Sequence, residues 1–253
     1  MISRYNAWID GIALSSIHDR LYVADIVQEA ITLQGNAAKL AKGSGRYLSS
    51  RSREALRVTI DFELHVYDPA ARQAICSEIA AWAQGRILET SDRPGQELHV
   101  VCDCPPCISS AMRWTENISM VFTAYECPFW IDKNAKTTTV NNGNESLFVP
   151  GNVPGDVAKA KVDAVVTASG SMTSLTITAG DTSITLSGIS LSSGDTVTFS
   201  HDGNGILSIK KGTDSLLGKR TAASSDDLEV PCGAISTFSS NRNCTFSVRG
   251  MWL

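Results

Sequence analysis

Three thiols and an imidazole fall within one short stretch, His99-Val-Val-Cys102-Asp-Cys104-Pro-Pro-Cys107. A tetrahedral zinc ion takes four such ligands, with sulfur at about 2.3 Å. In number, His99, Cys102, Cys104 and Cys107 can supply them. Zinc knuckles usually recur as two Cys-x-x-Cys pairs, whereas this segment holds one pair and Cys127 is a lone candidate beyond it. If His99 to Cys102 is a strand, those two side chains point to opposite faces. Cys104-Pro-Pro-Cys107 also has thioredoxin spacing, but no strand-to-helix junction follows to lower a thiol pKa. The competing reading is a set of reduced structural thiols. Seven cysteines, an odd count, with no signal peptide expected at Met1-Ile-Ser-Arg, fit a chain made in a reducing compartment.

Other chemistry is sparse. Gly-x-Ser-x-Gly, His-Glu-x-x-His and Gly-x-x-x-x-Gly-Lys-Ser/Thr are all absent. His18, His65, His99 and His201 are scattered, and structural roles suit them. Asp226-Asp227 reads as a solvated polar loop. Arg46, Arg51, Arg53 and Arg57 form a basic cluster whose last three members share one strand parity, which suits an outer or intersubunit face. No catalytic residue, metal or cofactor is assigned. The four residues of the cysteine segment are candidates on spacing alone.

The elements that must position these residues divide the chain by composition. Among 253 residues, 22 Lys and Arg face 26 Asp and Glu, a net charge of −4. That balance argues against nucleic-acid binding, which needs a basic face. No apolar run approaches the roughly 18 residues of a membrane span. Trp8, Trp82, Trp114 and Trp130 lie in the first 130 residues, and no Lys or Arg occurs between Lys161 and Lys210. The expected organisation is a first domain over 1–132, a linker over 133–154 and a second domain over 155–253, its last strand able to return to the first domain.

In the first domain, Leu56 to Tyr67 alternates apolar and polar without a fault, predicting one long strand with a buried face. Ile118–Tyr125, Arg46–Arg53, Ala7–Leu14 and Leu98–Cys102 are its candidate partners. Asp68 as cap, Pro69 in the first turn and an apolar stripe of Ala71, Ile75, Ile79 and Trp82 predict a helix over about 69–84. Ala24 to Gly45 reads as an exposed, partly mobile arm with room for a short helix. The second domain reads as all-β, with short alternating strands separated by turns such as Ala179-Gly180-Asp181, the pattern of a β-sandwich. Such a sandwich could bind sugar, yet Asp132 to Met251 contains no Trp or Tyr to stack on a sugar ring.

Several segments taken together resemble a known family. They are Trp8-Ile-Asp-Gly-Ile12, Gly43-Ser-Gly-Arg-Tyr-Leu48, Leu88-Glu-Thr-Ser-Asp-Arg-Pro-Gly95, Trp114-Thr-Glu-Asn-Ile118, Phe122-Thr-Ala-Tyr-Glu126, Pro128-Phe-Trp130 and Val248-Arg-Gly-Met-Trp252. In this order they resemble the distal tail proteins of siphophages. The resemblance implies a mainly β fold: a ring-forming N-terminal β-sandwich or barrel-like domain with one helix, then a galectin-like β-sandwich. It implies a structural virion protein, not an enzyme, at the tail tip and assembled in the host cytoplasm. A homohexameric ring would join the tail tube protein to the tip or tail-associated lysin protein and act as hub for receptor-binding proteins. The cysteine segment lies outside the pattern. A carbohydrate-binding β-sandwich module and a zinc-stabilised or redox enzyme are the alternatives from other classes.

Overall fold

The computed structural model describes residues 5–30, 33–39, 46–106, 117–202 and 205–253, with the backbone alone for 33–39, 46–51 and 117. It divides into two compact units, Met1–Lys133 and Asn134–Leu253. The first contains β1 (Ala7–Ile9), β2 (Ile12–Ala13), β3 (Leu21–Gln28), β4 (Leu33–Lys39), β5 (Arg46–Arg53), β6 (Leu56–Leu64), α1 (Pro69–Trp82), β7 (Ile87–Thr90), β8 (Gln96–His99), β9 (Val101–Cys104), β10 (Asn117–Ala124) and β11 (Trp130–Asp132). The second contains β12 (Lys136–Val149), β13 (Ala160–Thr167), β14 (Met172–Ala179), β15 (Thr182–Leu191), β16 (Thr196–His201), β17 (Leu207–Lys211), β18 (Asp214–Ser215), β19 (Glu229–Val230), β20 (Ala234–Val248) and β21 (Met251–Trp252). The fold is all-β with one α-helix among the described residues.

The alternating stretch does form the centre of a sheet. Strand β6 pairs along its length with β10, from Leu56↔Ala124 to Glu63↔Asn117, in the antiparallel order β3-β6-β10-β9. Val58, Ile60 and Phe62 are fully buried. The strand ends at Leu64 rather than Tyr67. Its neighbour β3 begins there, with Leu21 opposite Leu64.

Helix α1 forms because its first turn is capped and preset. The Asp68 carboxylate accepts from the Ala70 and Ala71 amides, and Pro69 has no amide to satisfy. Arg72, Ile75, Cys76, Ile79 and Trp82 are its buried face, so Arg72 takes the place expected of Ala71. Trp82 meets Phe122 edge-to-face at 6.0 Å and donates its indole N–H to the Ile12 carbonyl. The helix therefore ties the β6–β10 sheet to β2. A second sheet of this unit runs β2-β1-β7-β8-β11.

Three expected partners of β6 go elsewhere. Arg46–Arg53 pairs locally with β4, which lies inside the stretch read as an arm. That stretch also contributes Ala24–Gln28 to β3. A one-residue irregularity between Val23 and Asp25 breaks the alternation and hides the strand from a period-two reading. Ala7–Leu14 is not one strand but the hairpin β1–β2, turned by Asp10 (φ +49°) and Gly11 (φ +79°) as a primed turn requires. Leu98–Cys102 divides at Val100 between two sheets.

The stretch expected to be a linker holds β12, a 14-residue strand paired with β20 from Lys136↔Val248 to Val149↔Ala234. Its polarity reflects exposure of most side chains, not absence of structure. The ribbon folds over where the register shifts between Asn141 and Gly143. One half of β20 pairs with β13 and the other with β14. Phe238 and Phe246 consequently meet at 5.2 Å across the sandwich interior. Lys136 reaches the Phe148 ring at 5.6 Å, although twelve residues of straight strand would span about 40 Å.

Candidate functional site

Among the described residues, the structure does not bring the cysteine segment together. His99 ends β8 beside Ile87, whereas Cys102 and Cys104 lie on β9 against Phe122 and Val121 in the other sheet. Val100 makes the divide: it is buried and its amide donates to the Arg86 carbonyl. Cys107 lies outside the described residues. Among the described residues, no three His, Cys, Asp or Glu side chains gather to hold a metal. Burial pushes the Cys102 thiol above its ordinary pKa, which disfavours the thiolate.

The second unit does gather charge, at a place the sequence reading left as a scattered histidine and a solvated loop. The His201 side chain is 6% exposed, at the end of β16. Its Nδ1 lies 2.8 Å from Asp163 on β13, and its Nε2 lies 2.5 Å from Asp227. Lys161 donates to Asp227 and to Glu229 on β19. Desolvation works against charge on the imidazole. Hydrogen bonds and the two carboxylates outweigh it and raise the pKa to about 9. Desolvation likewise opposes ionisation of Asp227, but His201 and Lys161 bring it down to about 2. With carboxylates on both ring nitrogens, a doubly protonated imidazolium satisfies the geometry. This is a clamp that joins β13, β16 and the approach to β19.

The first unit carries a layer of arginines on aromatics. Arg93 sits over the Trp130 ring at 5.2 Å, and Arg53 over Phe129 at 5.8 Å. Trp130 is buried and its indole donates to Gln28. Burial lowers both arginine pKa values, and the Arg93 charge lowers that of Arg53 further. Arg57 is exposed on β6, opposite Thr123.

Beside this layer lies an open cleft of about 490 Å³, lined by Trp8, Glu89, Arg93, Gln96 and Lys133. Trp8 and Glu89 are cross-strand partners. Both Glu89 oxygens accept from Lys133 Nζ, at 2.8 and 2.9 Å. The glycine turns at Gly11 and Gly95 (φ +82°) border the cleft, and a Cβ on either would meet open space. Two segments that carried the family resemblance, Trp8–Ile12 and Leu88–Gly95, are thus brought to one place. Asp10-Gly11 marks the β1–β2 hairpin in the sequence, but no local signal shows that β1 pairs with β7.

These observations define a class: a two-unit β protein whose polar side chains are spent on ladders, caps and ion pairs. No family model and no curated protein sequence matches the chain. Solved structures do. The crystal structure of the SPP1 Dit protein, described as a paradigm of hub adsorption apparatus in phages infecting Gram-positive bacteria, matches at a TM-score of 0.76 and 11% identity. The match covers 98% of this chain and 99% of that one. Chains of the phage P2 baseplate in its activated conformation match at 0.53 with Ca and 0.51 with Sr, each at 10% identity over 97% of both chains. The chain therefore shares the fold of the Dit hub protein over 98% of its length.

Proposed function

We propose that the protein is a structural subunit of a phage tail tip, a baseplate hub of the distal tail type. The observation that carries this reading is the likeness to SPP1 Dit through both units, with almost no residue of either chain left over. The functional unit is a homohexameric ring in the virion. It joins the tail tube protein to the tip or tail-associated lysin protein and offers attachment to receptor-binding proteins.

The chemistry of the surface supports self-association. A closed ring is built from heterologous interfaces, so each subunit needs two different surfaces. Among the described residues, strand β9 is an edge, which offers backbone groups to another chain. Val27, Val101 and Tyr125 are each about half exposed on β3, on β9 and just beyond β10. In the second unit, Ser and Thr coat the exposed faces of Lys- and Arg-free strands, which suits an outward module that resists nonspecific adhesion.

Native mass spectrometry and negative-stain microscopy test the reading. The expected result is an annulus with six times the 27.1 kDa of the chain. A protein that stays monomeric at high concentration, alone and with its tube and tip neighbours, overturns it.

A further inference from the structure

We propose that the cleft between the β1–β2 hairpin and the turn before β8 binds a neutral saccharide. This goes beyond the hub reading and does not depend on ring formation. It also moves sugar recognition away from the second unit, where Trp and Tyr are lacking between Asp132 and Met251.

The lining selects the ligand by elimination. At about 490 Å³ the cleft is within the range of about 300–1,000 Å³ typical of small-molecule sites. Its charges are of both signs: Glu89 and Lys133 pair, and Arg93 stands beside them. An anion meets Glu89 at close quarters, and a cation meets Lys133 and Arg93. A wholly apolar ligand would strip water from all three and return no hydrogen bonds. A neutral polyol suits both signs, because each hydroxyl donates and accepts.

The ion pair leaves capacity for such a ligand. Two ammonium donors of Lys133 can be spent on Glu89, which leaves a third, and the carboxylate keeps acceptor sites beyond those Lys133 uses. Gln96 adds an amide N–H to donate, and its oxygen, which accepts from Arg93 at 3.4 Å, keeps a second lone pair. Trp8 supplies the remaining element, an aromatic surface for the apolar face of a pyranose ring. Gly11 and Gly95 lack side chains where the rim needs room, so a ring substituent can approach the backbone.

Saturation-transfer NMR of the full chain with maltose, cellobiose and N,N′-diacetylchitobiose tests the proposal. At least one should bind. Trp8→Ala should weaken that binding about tenfold, the upper range for one aromatic stacking contact. Lys133→Ala, at a half-exposed position that leaves the fold intact, should weaken it several-fold. Circular dichroism checks each variant. If none of the three binds, or if both variants bind as the unsubstituted chain does, the proposal is wrong. Binding of an uncharged extended peptide in place of sugars also overturns it. Ring mass, measured on the same samples, reports on the hub reading separately.

Discussion

The cysteine segment and the His201 clamp invert one another. In the first, four residues with metal-binding side chains lie within a few positions of each other. Those the structure describes are dealt onto two different sheets. In the second, Lys161, Asp163, His201, Asp227 and Glu229 spread over 68 positions, yet their side chains interlock. A strand advances about 3.3 Å per residue and alternates faces, so neighbours in an extended chain diverge. Sheet pairing does the opposite. Strand β13 pairs with both β16 and β19, so Lys161 lies opposite Glu229 and Asp163 reaches His201 at the end of β16.

The comparison can be broken most forcefully at Asp227. This carboxylate, with a side chain 21% exposed, neutralises both His201 and Lys161. Asp227→Ala leaves a buried imidazole with Asp163 and leaves Lys161 with only its longer contact to Glu229, at 3.4 Å. Removing one partner of a buried pair costs about 3–5 kcal/mol, and the partial exposure of Lys161 puts this case near about 3 kcal/mol. Urea denaturation measures it. A loss under about 1 kcal/mol, the usual worth of a surface pair, would mean that the clamp is only decoration.

Acidity sharpens the comparison with a smaller effect. In the folded chain His201 titrates at about 9, against about 6.5 unfolded. A raised pKa stabilises fully below the unfolded value and loses its contribution as pH rises through the folded one. Asp227, at about 2, stays ionised throughout, and Lys161 stays charged because its own pKa is raised. The melting temperature should therefore fall by several degrees between pH 7 and pH 10, and His201→Gln should flatten that slope. An unchanged slope in the variant would assign the alkaline loss to other groups.

What could be read in advance follows the same physics. The β6–β10 pairing and the start of α1 were legible, since period-two alternation and an Asp68-Pro69 cap are local patterns. Strand β12 was not. Its Asn-, Thr- and Gly-rich residues look like a linker because, among the described residues, it pairs on one side only and exposes most side chains. The one-residue irregularity in β3 erased its alternation. The clamp is invisible to any local reading, since no two of its strands adjoin in the chain. The cleft was half legible: Trp8 and Glu89 each sat in a segment that carried the resemblance, but only the register Trp8↔Glu89 shows that they meet.

The smallest expected effect lies in the cysteine segment itself. Cys104 is exposed and Cys102 only partly buried, on a four-residue strand. Exchanging sulfur for oxygen there removes little packing, so Cys102→Ser with Cys104→Ser should shift stability by no more than about 0.5 kcal/mol. A chelator should leave the melting temperature of the unsubstituted protein unchanged. Structural zinc contributes on the order of 10 kcal/mol or more in small domains, so its removal would not pass unseen. Cys244 gives an internal standard: burial pushes its thiol up to about 12, and it should resist alkylation while Cys104 reacts. If zinc copurifies stoichiometrically, or chelation lowers the melting temperature, the segment is a metal centre completed by groups such as Cys107. The contrast between adjacency in sequence and convergence in space would then fail at its first term.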